Sequence, residues 1–387
     1  MNQYNSIFGQ ILSFFPRLKF ESFVKQTDSA KNSKGFSCWD QFVAMLFCQL
    51  WYAQSLREIC GGLATSLGKT IHLGIKKAPS RSTLAYANEH RPWQLYEQIF
   101  FHLLGLCYSQ FGGTHKFRFK NKLYSFDASL ISLCLELFDW AKYRRKKGAI
   151  KLHLLLDHAG YLPQFLNITP GKVHEVQILK KIALDPGTIV VFDRGLIDFA
   201  TWATWTQQGI FFVTRMKSNA VYRVIQRFPV PQNSPVLCDQ IIYLKGFYSK
   251  KKCPFALRRI VYRDPKTGDK FSFITNNMNL AARTIAAIYK DRWQIELFFK
   301  ALKQNLRIKT FVGTSFNAVM IQIWTALIAI LILKYLKAKS AINWSLSNLV
   351  AMLRLNLLTY KNLWEWLNHP YFKPPAPPKL VQESFAF

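Results

Sequence analysis

Two aspartates stand directly after short apolar runs in a chain that has only 21 acidic residues. Residues 123–126 precede Asp127, and residues 188–192 precede Asp193. Runs of this length and composition predict buried strands, and α/β folds keep their chemistry at the ends of such strands. Taken singly, each aspartate is more simply explained as a turn or capping residue. The pair becomes informative only with a third acidic residue that would complete a site.

A segment with strong helical periodicity carries that third acid. From Tyr289, offsets of 3, 7 and 14 residues reach Arg292, Glu296 and Lys303. At about 100° per residue, the four positions fall within a stripe about 60° wide on one helix face. A solvated face with a Glu296–Lys300 pair would explain the charges. It would not explain an aromatic ring and an arginine on the same stripe.

At these residues the sequence resembles a known family. Bacterial insertion-sequence transposases with an RNase H-like DDE core carry the signature Tyr-x2-Arg-x3-Glu-x6-Lys, which residues 289–303 match without a gap. Asp127 and Asp193 stand where the first two catalytic acids of that family would be. The order and spacing of the acids, and their strand or helix context, agree with the resemblance over residues 120–310.

The resemblance implies a role for each of these residues. Asp127, Asp193 and Glu296 would be catalytic and would hold two Mg²⁺ ions, for which Mn²⁺ can substitute. Attack on a phosphodiester needs an activated nucleophile and a stabilised leaving oxygen, and two metal ions about 4 Å apart supply both. Asp127 would bridge the two ions, with Asp193 on one and Glu296 on the other. The residues expected to hold the DNA strand near the metals are Tyr289, Arg292 and Lys303, with Lys300 on the same helix as a further DNA-binding candidate.

The charge balance indicates a polyanionic partner. The chain of 387 residues has 52 Lys plus Arg, a formal net charge of +31, and its basic residues are spread along the whole length. This favours a long wrapped polyanion, double-stranded DNA, over one local patch. Four successive cations are predicted to lie on a loop beside the sheet and to clamp the DNA backbone, although a basic loop is more often only a solvated face. They are Arg144, Arg145, Lys146 and Lys147.

A β-rich insertion separates the second acid from the third. Residues 215–275 alternate Val, Ile, Tyr and Arg, and residues 264–269 have the composition of a hairpin turn. In the resembling family an insertion here supports a hairpin end by stacking an aromatic residue, typically Trp, on a flipped base. This insertion contains no Trp. Phe247 and Tyr248 are its only adjacent aromatic pair and the candidates for base stacking, although a place in a strand core is the simpler expectation for at least one of them.

Helical patterns precede and follow the predicted sheet. In residues 1–120, a helix near Gly61 and another starting near Ser80 would suit either a helix-turn-helix reader of DNA or an all-helical packing domain, and both interpretations stay open. Residues 311–387 form a predicted C-terminal helical region with a Pro-rich tail. Their apolar run, residues 319–333, is short for a bilayer and predicts a buried helix.

The cysteines and the N-terminus favour an intracellular protein. Seven cysteines are odd in number and lack a Cys-x-x-Cys spacing, which argues against a zinc site or disulfide framework and fits a reducing compartment. No basic leader precedes the first apolar stretch. We expect a cytoplasmic bacterial protein with no membrane role, associated with the nucleoid when it binds DNA.

These observations predict an α/β fold in which residues 121–310 form an RNase H-like catalytic core interrupted by the β-rich insertion. A helical N-terminal DNA-binding domain would precede the core, and C-terminal helices would follow it. The predicted function is that of a DDE transposase, which binds the terminal inverted repeats of its own insertion sequence, cleaves DNA and joins 3′ ends to target DNA. Pairing of two ends implies a homodimer. Two alternatives stay open: a domesticated or defective copy that binds DNA without cutting it, and a structure-selective RNase H-like nuclease.

Overall fold

The computed structural model describes residues 5–31, 35–66, 69–113, 116–133, 138–144, 147–306 and 311–371. Helices occupy the first part of the chain, and serine caps begin four of them, the first at Ser6. The Ser37 side chain accepts the backbone N–H of Asp40, and Ser55 and Ser80 likewise accept from the third residue of their helices. These helices are α1 (Ile7–Leu12), α2 (Arg17–Gln26), α3 (Cys38–Trp51), α4 (Leu56–Ala64), α5 (Arg81–His90) and α6 (Gln94–Phe111).

A mixed sheet follows the helices. Its elements are β1 (Leu123–Leu133), β2 (Lys142–Arg144), β3 (Lys147–Asp157), β4 (Leu162–Pro170), α7 (Glu175–Leu179), β5 (Ile189–Phe192), α8 (Phe199–Gln207) and β6 (Phe211–Arg215). β1 lies at the centre, antiparallel to β3 on one side and parallel to β5 on the other. β4 pairs with the far edge of β3, and β6 runs parallel to β5. In the order β4-β3-β1-β5-β6, strand β1 thus has two parallel strands, β5 and β6, on one side.

The insertion continues the same sheet. It contains β7 (Tyr222–Arg227), β8 (Val236–Leu244), α9 (Phe247–Lys252), β9 (Leu257–Arg263) and β10 (Lys270–Thr275). β10 pairs antiparallel with β6, and β9, β8 and β7 follow in that order, which makes a ten-stranded sheet. The predicted hairpin turn is confirmed, since Arg263 pairs with Lys270 and Gly268 takes a left-handed φ of 78° that suits glycine.

In the described residues, five helices follow the insertion, and all of them except the first join the N-terminal helices in a single hydrophobic core. They are α10 (Ala282–Asp291), α11 (Trp293–Asn305), α12 (Phe316–Lys339), α13 (Leu346–Asn356) and α14 (Leu363–Asn368). α12 packs against α3, α5, α6 and α13. It is long and apolar enough to cross a membrane, yet 89% of its most apolar window is buried within the protein. The prediction of a buried core helix is therefore confirmed.

The two faces of the sheet are covered by different helices. Tyr124 and Phe126 of β1 pack in one hydrophobic cluster with Trp202 of α8. Leu123 packs in the opposite cluster with Ile288 of α10. Because side chains alternate along a strand, Ser125 and Asp127 lie on the α10 face with Leu123. The functional side chains of β1 therefore meet the helices that follow the insertion.

Several local predictions need correction. Asp127 was expected to follow a strand over residues 123–126, but β1 runs unbroken from Leu123 to Leu133, so Asp127 lies inside a strand rather than at its end. The single helix expected to carry residues 289–303 is two helices that meet at Arg292. The predicted domain boundaries stay a prediction.

Candidate active site

The parallel pairing of β1 and β5 brings two of the predicted acids side by side. The last pair of this ladder is Phe126 opposite Phe192, so Asp127 and Asp193 are the next residues on each strand. Neighbouring strands lie about 4.8 Å apart. β1 continues along β3, where Asp127 pairs with Leu154, whereas the chain after Asp193 leaves the sheet in a 3₁₀ turn. The end of β5 thus leaves an open edge of β1 at Asp127.

The junction of α10 and α11 supplies the third acid. The backbone N–H of Arg292 reaches both the Ile288 carbonyl (3.3 Å) and the Tyr289 carbonyl (3.2 Å), which tightens the last turn of α10. Helical geometry resumes in α11, which carries Glu296 in its first turn. Tyr289 and Glu296 thus belong to different helices, yet Arg292 contacts both of them.

Asp193 is held by the residues around it. Its Oδ1 accepts the Tyr289 hydroxyl at 3.1 Å and Nη2 of Arg215 at 3.4 Å. Burial alone would raise the pKa of this carboxyl, but the Arg194 backbone N–H, the Tyr289 hydroxyl and the nearby arginines outweigh it and hold the pKa below its ordinary value. Asp193 is therefore charged at neutral pH.

Arg292 is the cation that the three acids share. Its Nη2 donates to Oε1 of Glu296 at 2.6 Å, and its charge also favours the ionised forms of Asp127 and Asp193. The guanidinium lies 5.4 Å from the centre of the Tyr289 ring, within the range of a cation–π contact. Its buried Nε has no hydrogen-bond partner in the described part of the protein. Arg292 thus has an N–H group that can still donate a hydrogen bond to a ligand.

Of the three acids, Asp127 has the pKa that departs most from its ordinary value. Burial raises its pKa to about 6, and the charges of Glu296 and Asp193 add to this effect. The Ala128 backbone N–H, which donates to Oδ1 at 2.8 Å, and the Arg292 charge oppose it. A nearby cation would stabilise the charged form of this carboxyl, because water solvates that form poorly in a buried position.

The chemistry of the donor set fits a hard divalent cation. Three carboxylates offer the oxygen ligands that Mg²⁺ prefers, and in the part of the chain that the structure describes their side-chain hydrogen bonds come from a tyrosine hydroxyl, two arginines and backbone N–H groups. Within the described residues, however, no three His, Cys, Asp or Glu side chains are grouped closely enough to hold a metal ion. Arg292 lies among the acids instead, and its Nη2 donates to Oε1 of Glu296.

A buried hydrogen-bonded chain supports the helix junction from beneath. Ser125 Oγ lies 2.6 Å from His158 Nε2, and His158 Nδ1 lies 2.7 Å from Asp291 Oδ2. Since an ionised carboxylate only accepts, Nδ1 donates to Asp291. Lys116 and the Tyr161 hydroxyl also donate to Asp291, at 2.6 and 3.1 Å. Burial alone would raise the pKa of Asp291, but His158 and Lys116 lower it below its ordinary value.

This Ser-His-Asp arrangement is not a hydrolytic site. Ser125 is fully buried and faces α10 from inside the sheet, so no substrate reaches its hydroxyl. Ser125 stands two residues before Asp127, and Asp291 stands directly before Arg292. These hydrogen bonds therefore connect β1, which carries Asp127, to the junction of α10 and α11, which positions Glu296. No sequence pattern predicted these hydrogen bonds, and their only signal is Asp291, an acidic residue in a protein that has few.

The other predicted binding residues lie in different surroundings. Lys303 is half-buried on α11, and Lys300 is exposed on the same helix. Phe247 and Tyr248 are not in a strand core; they lie on α9, 79% and 73% exposed, with ring centres 5.3 Å apart. Arg145 and Lys146 lie outside the described residues, as do the side chains of Arg144 and Lys147.

Comparisons with known proteins find two matching family models and several named relatives. Residues 118–332 match the family model described as a transposase DDE domain, and residues 3–76 match that of a domain of unknown function. A Sinorhizobium fredii protein named as a transposase is 33% identical over 261 residues, which are 66% of this chain and 71% of that protein. A Geobacillus stearothermophilus protein named as a transposase for an insertion sequence element is 27% identical over 273 residues, 69% of this chain and 70% of that protein.

One solved structure aligns with almost the whole chain. It is a piggyBac transposase synaptic complex with hairpin DNA, whose alignment covers 97% of this chain and 87% of that one, at 11% sequence identity and a TM-score of 0.44. The family match at residues 118–332 is the more informative finding, because it contains every residue of the candidate active site.

Proposed function

Because this chain belongs to the family of transposase DDE domains, with an RNase H-like core, we propose that it binds the terminal inverted repeats of its own insertion sequence, cleaves the DNA there and joins the 3′ ends to target DNA. The observation that carries this proposal is the meeting of Asp127, Asp193 and Glu296 around Arg292. An acid from each of two adjacent parallel strands and one from a crossing helix suit phosphodiester chemistry.

Asp127, Asp193 and Glu296 would hold two Mg²⁺ ions, for which Mn²⁺ could substitute. Bound metal ions would activate the attacking oxygen and stabilise the leaving one. The protein's own part is to position these acids and the DNA strand. Tyr289 keeps Asp193 oriented through its hydroxyl, and Arg292 exchanges Glu296 for a phosphate oxygen, to which it offers a two-pronged donor. Lys303 and Lys300 add positive charge further along α11.

The proposed DNA contacts extend to the N-terminal helices. α4 and α5 contact each other, and their N-terminal ends border one cavity of about 590 Å³ that includes the exposed Arg57 and Arg81. Two helix N-termini and two arginines favour an anion such as a DNA phosphate. Sixteen residues separate Ala64 from Arg81, which is far more than the short turn of a helix-turn-helix. We therefore assign backbone contact rather than base reading to this pair.

The exposed aromatic pair on α9 suits a base-stacking role. Phe247 and Tyr248 present their rings next to Lys250, Lys251 and Lys252, and aromatic rings with nearby cations are the usual platform for unpaired bases. The active assembly would be a homodimer that pairs two DNA ends, and the protein would act in the bacterial cytoplasm on nucleoid DNA.

Cleavage of the gene's own flanking DNA tests the proposal. The full-length protein is incubated with a DNA fragment that carries both flanks, with and without Mg²⁺, beside Asp127→Asn and the surface control Asp269→Asn. Metal-dependent cuts at two symmetric positions, lost only in Asp127→Asn, would support it. Binding without any cut would favour the non-catalytic alternative, and cuts without preference for the flanks would favour a structure-selective nuclease.

A further inference from the structure

A cleft of about 740 Å³ lies along α11, between this helix, α12 and the start of α13. Three lysines line it: Lys300 on α11, and Lys334 and Lys337 on α12. No acidic residue is among its lining residues, all of which lie in the described part of the chain. The described ion pairs include none of these three lysines either. The cleft thus concentrates positive charge without a counter-ion.

Lys334 is the deepest of the three cations. Its Nζ donates to the backbone carbonyl of Tyr161 at 2.8 Å and lies 5.8 Å from the centre of the Phe298 ring. Burial lowers its pKa to about 8, and the charge of Lys337 works in the same direction. An ammonium group has three donors, so one carbonyl leaves capacity for an anionic acceptor. A bound anion would restore the ordinary protonation of this amine.

The start of α13 adds a second source of positive potential. Ser345 caps the helix by accepting from the Asn348 backbone N–H, and Ser345, Leu346 and Ser347 all border the cleft. The helix is 11 residues long and has no acidic residue in its first turn. The N-terminal end of such a helix favours an anion. The helix end and the lysines of α12 face the same space.

The cleft adjoins the active site around the circumference of α11. At about 100° per residue, Lys300 lies about 40° from Glu296 on this helix, and Gln304, which also lines the cleft, lies about 80° from it. Tyr161 provides a second connection, since its carbonyl accepts from Lys334 and its hydroxyl donates to Asp291. Tyr161 has a left-handed φ of 53°, which a bulky residue adopts only where its surroundings hold it.

We propose that this cleft binds a phosphate of the nucleic-acid strand that leaves the active site, held by Lys300, Lys334, Lys337 and the N-terminal end of α13. The inference rests on the proposed function, because a strand in the active site would reach the cleft by passing Lys300. A free phosphate ion has the same chemistry, so the test must separate the two sources.

Salt dependence of DNA binding tests the contact without any catalysis. Fluorescence anisotropy of the full-length protein with a labelled oligonucleotide is measured without metal over a series of salt concentrations. Lys337→Gln is expected to reduce the slope of log affinity against log salt by about one, as the loss of one phosphate contact does. The matched control is Lys339→Gln, which removes the same charge from the exposed end of α12 outside the cleft. Equal slopes for the two variants would overturn the proposal.

Chemical protection of Lys334 tests occupancy of the cleft itself. The protein is treated near pH 8 with an amine-acylating reagent, and mass spectrometry measures modification of Lys334 with the oligonucleotide, with inorganic phosphate or with neither. Severalfold protection by the oligonucleotide, weakened in Lys337→Gln, would support the proposal. Protection by inorganic phosphate alone would reassign the cleft to a free anion, and no protection by either would overturn it. Neither of these two measurements depends on cleavage. A negative cleavage assay would therefore leave their result unchanged, and a negative result here would leave the cleavage assay unchanged.

Discussion

Asp127 and Asp193 are the first residues beyond the last backbone pair of two adjacent parallel strands, Phe126 opposite Phe192. Their alignment is therefore set by sheet register rather than by any contact between their side chains. A shift of one residue in this register would move either side chain to the opposite face of the sheet. The buried phenylalanines that precede them pack in one cluster beneath α8, which makes such a shift costly.

Arg292 and Glu296 should separate binding from chemistry. Glu296→Gln removes a proposed metal ligand and is expected to slow cleavage at least about a hundredfold, since metal ions contribute several kcal/mol to the transition state. It also frees Arg292 from its ion pair, so DNA binding should be equal or tighter. Arg292→Ala should weaken binding about tenfold, or about 1.4 kcal/mol, and reduce cleavage as well. Gel-shift and cleavage assays check both, and equal loss of binding in the two variants would contradict this division.

Tyr289→Phe isolates the hydroxyl that orients Asp193. The ring should keep its place, since it packs 5.0 Å from Phe273 between centres. Loss of one hydrogen bond costs about 1 kcal/mol, so we expect cleavage to fall about fivefold with little change in thermal stability. Tyr289→Ala should also destabilise the fold by about 3 kcal/mol through the cavity it leaves. A Tyr289→Phe protein as unstable as Tyr289→Ala would contradict this assignment.

His158 should contribute mainly to stability. His158→Ala removes the link between Ser125 and Asp291 and leaves a buried carboxylate with fewer partners. We expect a loss of about 3 kcal/mol in the free energy of unfolding, measured in urea. Ser125→Ala should cost only about 1 kcal/mol. The exposed His369 is the matched control, and His369→Ala should stay within about 0.5 kcal/mol of wild type; a similar value for His158→Ala would refute the supporting role.

His153 should make the protein sensitive to mild acid. It is fully buried in β3, and burial, with the charge of Lys151, lowers its pKa to about 4, while Glu175 opposes the shift. Between the folded pKa and the unfolded value of about 6.5, the unfolded chain binds more protons. Stability should therefore fall as the pH drops from 6.5 to about 4, by up to about 3 kcal/mol from this group.

Urea unfolding at several pH values measures this effect. His153→Gln keeps a polar side chain near Thr169, whose hydroxyl lies 2.9 Å from His153 Nε2, but it cannot take up a proton. Between pH 6.5 and about 4, the free energy of unfolding should fall less in this variant than in wild type. An unchanged dependence on pH would contradict the assignment to His153.

The sequence predicted which candidate acids would lie near one another better than it predicted the elements that carry them. Acids after apolar runs, and a spaced set on one helical segment, were visible because local patterns encode them. The unbroken β1 and the junction at Arg292 depend on tertiary contacts, since β3 supports the strand beyond Asp127 and Tyr289 is held by Asp193. The contacts of His158 with Ser125 and Asp291 span 33 and 133 residues, and no short-range pattern reveals them.

The buried position of α12 has a consequence for synthesis of the chain. The Asn317 side chain at its start donates to the Asn88 carbonyl, 229 residues earlier, and α3 and α6 pack their apolar surfaces against the same helix. During translation these surfaces emerge long before their partner exists. The N-terminal helices of the nascent chain therefore stay without this packing partner until α12 is synthesised, and chaperones or transient collapse must shield their apolar surfaces. A product terminated before residue 316 would expose this apolar surface and become a substrate for aggregation or proteolysis.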